Sequence, residues 1–438
     1  MFVDFCLVVV SIKDELIKIA TKMRAIREAL KWTQLTLAVN MECSVATVEN
    51  YESGRHKVTR ATIIKFKKAV EMEIPLTDDE IAAHKEALYK WKDCMAFGDS
   101  KKAGELYAKL TTLSKWSFDD DVINLCNLFC VIYYYLNGKK EKCLEIIESL
   151  GKKIHELSDE HLYWYYRYTA LMEHSVWRYK TALEMYLKAE KLGDKLSLTD
   201  EALLYNIGSC YFAMGYSYFA ASYLERVLTD KTGTFSITIK SGFSTQRLLA
   251  MCYSDLGKKE EAHVLLNNCI LRIEAEDRSS KLALAGTYLN MGNIYEDEEE
   301  YEKALEYYGM ASQQCSKGSE AFILCLCTIT SLLRTIGREA EVKEYLAQGL
   351  PLATKDTLWY WWLHAVDKSM DMDKDASITY IECTVVPALH EHGKHTLAIM
   401  CYEWISKYYR DKHAYKKALR YTDKANEIRA KLQRGVTI

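Results

Sequence analysis

The sequence predicts an all-α protein: a small helical head followed by a long solenoid of about nine helix pairs. Three observations carry that prediction. Only three prolines and nineteen glycines occur in 438 residues, so long helices with short connections are favoured over strands with glycine turns. From about residue 80 onward, small and large residues recur at fixed spacings, the mark of stacked helical units. Charge is also divided along the chain. Between Lys13 and Met72 twelve basic residues face seven acids, a net of +5, whereas the whole chain is −3, leaving −8 for the remainder. A positive head on an acidic body suits a head that meets phosphates and a body with another task.

The chain starts with MFVDFCLVVV. This run lacks a basic start and a small-residue cleavage site, contains Asp4, and falls short of the ~20 apolar residues that a membrane span requires. Residues 1–11 are therefore read as an apolar N-terminal extension without an assigned role, and a cytoplasmic protein with no membrane partner is expected. Fourteen cysteines sit among aliphatic helix positions with no CxxC pair, which reads as reduced core thiols.

Residues 12–73 form the head. Thr33 is placed to cap a helix running to Val39, and Ser44 to cap a second running to about Tyr51. Leu37, Met41, Cys43, Val48 and Tyr51 occupy the inward positions of two crossing helices, with small Ala38 at their closest approach. That is the pattern of a helix-turn-helix. Ser44, Val45, Ala46, Thr47 and Asn50 then point outward from the second helix as candidates for base edges, the methyl groups toward thymine and the polar groups toward bases or phosphates. Gln34, at a helix N-terminus, suits a phosphate or purine contact, while Arg27, Arg55 and Lys57 suit the DNA backbone. The stretch RAIREALKWTQLTLAVNMECSVATVENYESG resembles an Xre or lambda-repressor-type DNA-binding domain. In that family the turn position held here by Glu42 is usually glycine. Glu42 strains a left-handed turn and sets a carboxylate near DNA, keeping open a head that no longer binds DNA.

Residues 74–82, containing Pro75, are expected to be a linker, and residues 83–438 a repeat domain for peptide binding and dimerisation. In LLYNIGSCYFAMGYSYFAASYLERV, Gly208 is followed by Tyr211, Ala220 and Leu224; in YLNMGNIYEDEEEYEKALEYYGMA, Gly292 is followed by Tyr295, Ala304 and Tyr308 at the same spacings. This is the tetratricopeptide pattern, which implies a right-handed superhelical solenoid. Sliding the frame along the chain puts the second-helix contact residue at Ala103, Cys143, Ala182, Ala220, Ala262, Ala304, Val342, Ala376 and Ala418.

The inner surface of such a solenoid is lined by the first helix of each pair. There the frame puts Arg167 and Leu171, Tyr205 and Ser209, Arg247 and Met251, Leu289 and Asn293, then Cys327 and Ser331. Asparagines in this strip, Asn206, Asn290 and Asn293, have amides that both donate and accept, as a bound peptide backbone requires. Arginine forks suit a carboxylate. The alternative is that the asparagines bridge repeats and the arginines are solvated.

An Xre-type head joined to a tetratricopeptide array resembles the RRNPP cell–cell communication receptors, with LYNIGSCYFAMGYSYFAASYLERV especially similar to repeats of the Rap and NprR members. The resemblance implies a homodimeric regulator whose array binds a short signalling peptide and whose head binds double-stranded promoter DNA at an inverted repeat. It also leaves two alternatives: a Rap-like regulator acting on a response-regulator phosphorelay by protein binding, and a scaffold that does not bind DNA. No phosphate loop, HExxH or GxSxG is present, so no enzyme and no cofactor are expected. HEHGKH, with His390, His392 and His395, reads as ordinary exposed histidines in a connection, not a metal site. LWYWWLH, residues 358–364, reads as a packed helix interface, with an exposed patch or subunit contact as the other possibility.

Overall fold

The structure, a computed structural model, describes residues 17–229, 239–275, 281–354, 359–371, 373–391 and 395–434. Among these the chain is α-helical with no strand. The apolar run at residues 1–11 lies outside the described residues. The chain forms two units that divide after Tyr168.

The first unit opens with α1 (17–29), α2 (Gln34–Asn40), α3 (Val45–Glu52) and α4 (Arg60–Val70). Thr33 and Ser44 cap α2 and α3 through their side-chain oxygens, as the sequence implies. Leu37, Ala38, Met41 and Val48 are buried against Ile19, Met23, Ile26 and Phe66. α5 (Asp78–Ala96) and α6 (Ser100–Trp116) make the first helix hairpin, and α7 (Asp120–Leu136) and α8 (Lys140–Gly151) the second.

The stretch expected as a linker, residues 74–82, is instead a filled joint. Ile74 and Leu76 belong to the head's own core, against which Trp116 also packs. Thr77 and Glu80 form a capping box at the start of α5. Lys67 pairs with Glu80 at 2.5 Å and Lys22 with Asp119 at 3.0 Å. Proline breaks the helix here, but the apolar residues on either side of it keep the head and the first hairpins in one compact body.

α9 (Asp159–Ser175) contains the division between the units. The second unit continues with the hairpin partner α10 (Tyr179–Lys195), then α11 (Glu201–Ala213) with α12 (Ser217–Thr229), α13 (Ile239–Asp255) with α14 (Lys259–Ala275), and α15 (Lys281–Asp297) with α16 (Tyr301–Gln314). α17 (Glu320–Thr335) pairs with α18 (Glu339–Gly349). The eighth pair sets α19 (Tyr360–Asp371) against α20 (Lys374–Tyr380), a π-helical turn (Ile381–Val385) and α21 (Val386–Glu391). α22 (His395–Asp411) and α23 (Tyr415–Arg434) complete the nine hairpins.

Close approach within a hairpin joins residues twelve apart, as the Trp91 indole donating to the Ala103 carbonyl at 2.9 Å and the Ser406 hydroxyl donating to the Ala418 carbonyl at 2.9 Å both show. The same spacing sets buried Ala170 beside Ala182 and Ala250 beside Ala262. In the eighth hairpin the expected contact residue, Ala376, is only half-buried; Ser377 is buried in its place, twelve after the buried Ala365. Serine serves because its hydroxyl donates back to the carbonyls of Lys368 and Asp373, so no polar group is stranded in the contact.

The turns have a signature of their own. Five residues before the contact residue the backbone is left-handed, with glycine at Gly98, Gly138, Gly215, Gly257 and Gly337 but with Trp177, Glu299 and His413 at φ +67°, +60° and +57° in three other hairpins. LWYWWLH packs as a helix interface: Trp362 and Leu363 are core residues, and Trp359, Tyr360 and Trp361 lie against them. The described cysteines are free thiols, most of them buried.

Candidate functional site

The head places the candidate base-edge residues on one exposed face of α3. Val45 is 39% exposed, Ser44 and Ala46 are exposed, and Thr47 and Asn50 are half-buried beside them. Ser44 and Thr47 share a hydroxyl hydrogen bond of 2.8 Å, which fixes the N-terminal edge of the helix. Arg55 and Lys57 are exposed just beyond α3, with Arg55 3.8 Å from Glu49. Glu42 adopts φ +52°, so the left-handed turn that the helix-turn-helix needs is made by a residue with a Cβ.

Arg27 is placed differently from the sequence expectation. It is buried, its Nε and Nη2 donate to the two carboxylate oxygens of Glu52 at 2.5 and 2.9 Å, and Nη1 donates to the Trp32 carbonyl at 2.8 Å. The Gln34 amide donates to the same carboxylate at 3.0 Å. The Glu52 hydrogen bonds hold the Arg27 guanidinium above its ordinary value despite burial. This cluster ties α1, α2 and α3 together, so Arg27 positions the recognition helix and its guanidinium is not free for phosphate. Reasoning from the sequence missed Glu52 as the hub; its only signal is the carboxylate of the closing YESG, one turn past the outward face.

In the second unit, Tyr205 on α11 and Arg247 on α13 lie together, close enough for each to perturb the other's charge. Arg247 reaches toward α15, donating weakly from Nη1 to the Ala283 carbonyl at 3.4 Å and from Nη2 to the Ser244 hydroxyl at 3.3 Å. Its Nη1 lies 1.8 Å from where a Cβ on Gly286 would stand, so that glycine leaves the corridor the guanidinium fills. Its Nε is buried without a partner, and burial pulls its pKa below the ordinary value. A cation stripped of water and given no carboxylate among the described residues is prepared to receive one.

Around it, Ser209 adjoins His174 at 3.3 Å, and Asn290 and Asn293 lie one turn apart on α15. Asn293 is partly engaged, because the one Tyr308 hydroxyl proton is shared between its Oδ1 at 2.8 Å and the Glu296 carboxylate at 2.7 Å. Asn206 is half-buried one position from Tyr205. Arg167 belongs to the first unit, where it stacks over Trp164 and Tyr168 at 5.4 and 5.5 Å.

No family model matches the chain. The transcriptional activator NprA of Geobacillus stearothermophilus is 23% identical over 367 residues, covering 76% of this chain and 84% of that protein. The apo form of the quorum sensor NprR from B. thuringiensis matches with a TM-score of 0.65 at 19% identity, over 78% of this chain and 98% of that one. A Rap protein complexed with Competence and Sporulation Factor matches with a TM-score of 0.63 at 14% identity, over 82% and 99%.

The chain resembles the RRNPP receptors. In this RRNPP-like chain the similarity extends over most of the length, and the helical solenoid is the shared architecture. Among its described residues no group of three or more histidine, cysteine or acidic side chains gathers as metal ligands. His390 and His395 adjoin at 3.3 Å, and His392 lies outside the described residues. No described helix is long and apolar enough to cross a membrane.

Proposed function

We propose that this RRNPP-like chain is a cytoplasmic, homodimeric transcription regulator whose DNA affinity is set by a short signalling peptide. The observation that carries the reading is the joining, in one chain, of a capped and exposed recognition helix to a repeat body holding a buried guanidinium that no carboxylate among the described residues partners. NprA is named a transcriptional activator, and a solved NprR structure is described as a complex with its cognate peptide NprX. Both support the same assignment here.

On this reading Val45, Ala46, Thr47 and Asn50 read bases, and Ser44, Arg55 and Lys57 hold the backbone. Gln34 has its amide committed to Glu52 and contributes through its position at the start of α2. One recognition helix reaches too few bases for useful specificity, so two heads on an inverted repeat are required. In the body, Arg247 takes a carboxylate of the peptide with Tyr205 beside it, while Asn206, Ser209, Asn290 and Asn293 meet its backbone.

The test is calorimetry and gel-shift on purified protein, its own upstream DNA, and synthetic peptides translated from the adjacent reading frame. Removing one charge-assisted contact costs about 1.5–3 kcal/mol, so Arg247→Ala is expected to weaken the peptide by roughly ten- to a hundredfold while leaving peptide-free DNA binding intact. No binding of the protein to upstream DNA in any peptide state would reject the reading.

A further inference from the structure

A second under-partnered guanidinium lies in the late hairpins, one turn along its helix from Ser331, the last residue of the inner strip that the repeat frame lays out. Arg334, near the end of α17, is stacked face-on over the Trp404 indole of α22, its central carbon 3.5 Å from the ring centroid. Its Nη1 is buried and has no hydrogen-bond partner. Burial draws its pKa down to about 10, against the opposing pull of Glu339.

The group opens into a cleft of about 620 Å³ whose walls include Ser331, Trp362, Lys374, Trp404 and Lys407. The Trp362 indole is already satisfied, donating to the Ser331 hydroxyl at 3.1 Å, and its ring stands 6.1 Å from that of Trp404 at 49°. Three acids also line the cleft, Glu339, Glu403 and Asp411, of which Glu403 is paired with Arg429. The cleft thus combines two indoles, a planar cation with one unpartnered nitrogen, three further cations at Lys374, Lys407 and Arg410, and the three acids.

We infer that this cleft is a binding site for a carboxylate carried next to an aromatic or large apolar group. The guanidinium is planar by delocalisation and the indole beneath it fixes its position, so its N–H groups present one plane that matches a planar carboxylate better than a tetrahedral phosphate. The indole pair supplies the apolar wall that such a ligand's side group covers. Arg334 and Arg247 lie on different first helices, α17 and α13, with one hairpin, α15 and α16, between them in chain order.

N-acetylphenylalanine and its amide are the probes, titrated into the full-length wild-type chain with tryptophan fluorescence and calorimetry as readouts. The acid is expected to bind, and the amide to bind at least tenfold more weakly. Arg334→Gln is expected to remove the difference, and Arg247→Ala to leave it unchanged. Equal binding of acid and amide to the wild type overturns the proposal and needs no variant to fold. So does displacement of the acid by an equal concentration of inorganic phosphate, or loss of acid binding in Arg247→Ala. A hexapeptide ending in Phe with a free C-terminus distinguishes the ligand's source: tighter binding than N-acetylphenylalanine assigns the cleft to a peptide end, equal binding to a small carboxylate, and either supports the carboxylate chemistry.

Discussion

Replacing Arg27 separates a structural from a DNA-contacting role. The Arg27 and Glu52 side chains are 10% and 5% exposed and joined by two hydrogen bonds, with a third from Arg27 to the Trp32 carbonyl and a fourth from Gln34 to Glu52. Arg27→Met keeps the apolar stem but leaves the Glu52 carboxylate buried with one neutral donor. Removing one partner of a buried pair costs about 3–5 kcal/mol, whereas replacing both with apolar groups is often near neutral. Arg27→Met and Glu52→Gln are therefore each expected to open the head by that amount, and Arg27→Met/Glu52→Leu by clearly less than the sum. Hydrogen exchange of the amides in α1–α4 reads this directly, as a gain in opening of roughly two to three and a half powers of ten. DNA binding falls in the single variants because less of the head is folded, with the salt dependence unchanged per folded molecule. Arg27→Met with native exchange protection and a flatter salt dependence would refute this reasoning and return Arg27 to the phosphate backbone.

Gly292→Ala is expected to destabilise the second unit by about 1–3 kcal/mol, since a Cβ there would stand 2.4 Å from the buried Tyr308 ring, while Gly309→Ala on α16, with nothing within 4 Å, is expected to stabilise by about 0.5–1 kcal/mol in urea unfolding. Glu42→Gly relieves a left-handed residue and removes a carboxylate beside the recognition helix, so the head gains up to about 1 kcal/mol and DNA binding tightens; weaker binding by gel-shift would show the carboxylate to be a contact. Buried His84, hydrogen-bonded to Ser114 at 2.9 Å, is held below the ordinary imidazole value of 6.5 by burial. The unfolded chain then binds a proton that the folded one refuses, so stability falls as pH drops through about 6.5, and His84→Gln is expected to flatten that part of a stability–pH profile.

Much of the head was legible because its signals are local. Thr33 and Ser44 are capping residues at the correct offsets, and Leu37, Ala38, Met41 and Val48 alternate as two crossed helices demand. The side-chain network was not legible, because a buried Arg27 and an exposed arginine are the same letter until Glu52, 25 residues away, is known to face it. The same blindness produced the linker: Pro75 and its neighbours look like a break, and only Ile74, Leu76 and Trp116 meeting in one core show it to be a packed joint.

The body was legible for a different reason. A hairpin contact repeated nine times averages out local irregularity, so the frame survived a tryptophan at the first position, Trp91, and slipped by one residue only at Ser377, where the expected alanine also stood. A second periodic signal went unused: the left-handed residue five before the contact in the eight hairpins where that position is described, Gly337 and His413 flanking the eighth frame. What periodicity does not specify is which polar residues on the repeated face lose their partners. Arg247 and Arg334 both lie on first helices, yet neither differs in sequence from a solvated arginine. Their distinction arises because Gly286 admits one guanidinium beside α15 and Trp404 receives the other on its ring face. On the proposed reading, binding capacity in this solenoid comes from cations that the packing buries with a nitrogen left unpartnered among the described residues, a property of neighbouring hairpins and not of any one repeat.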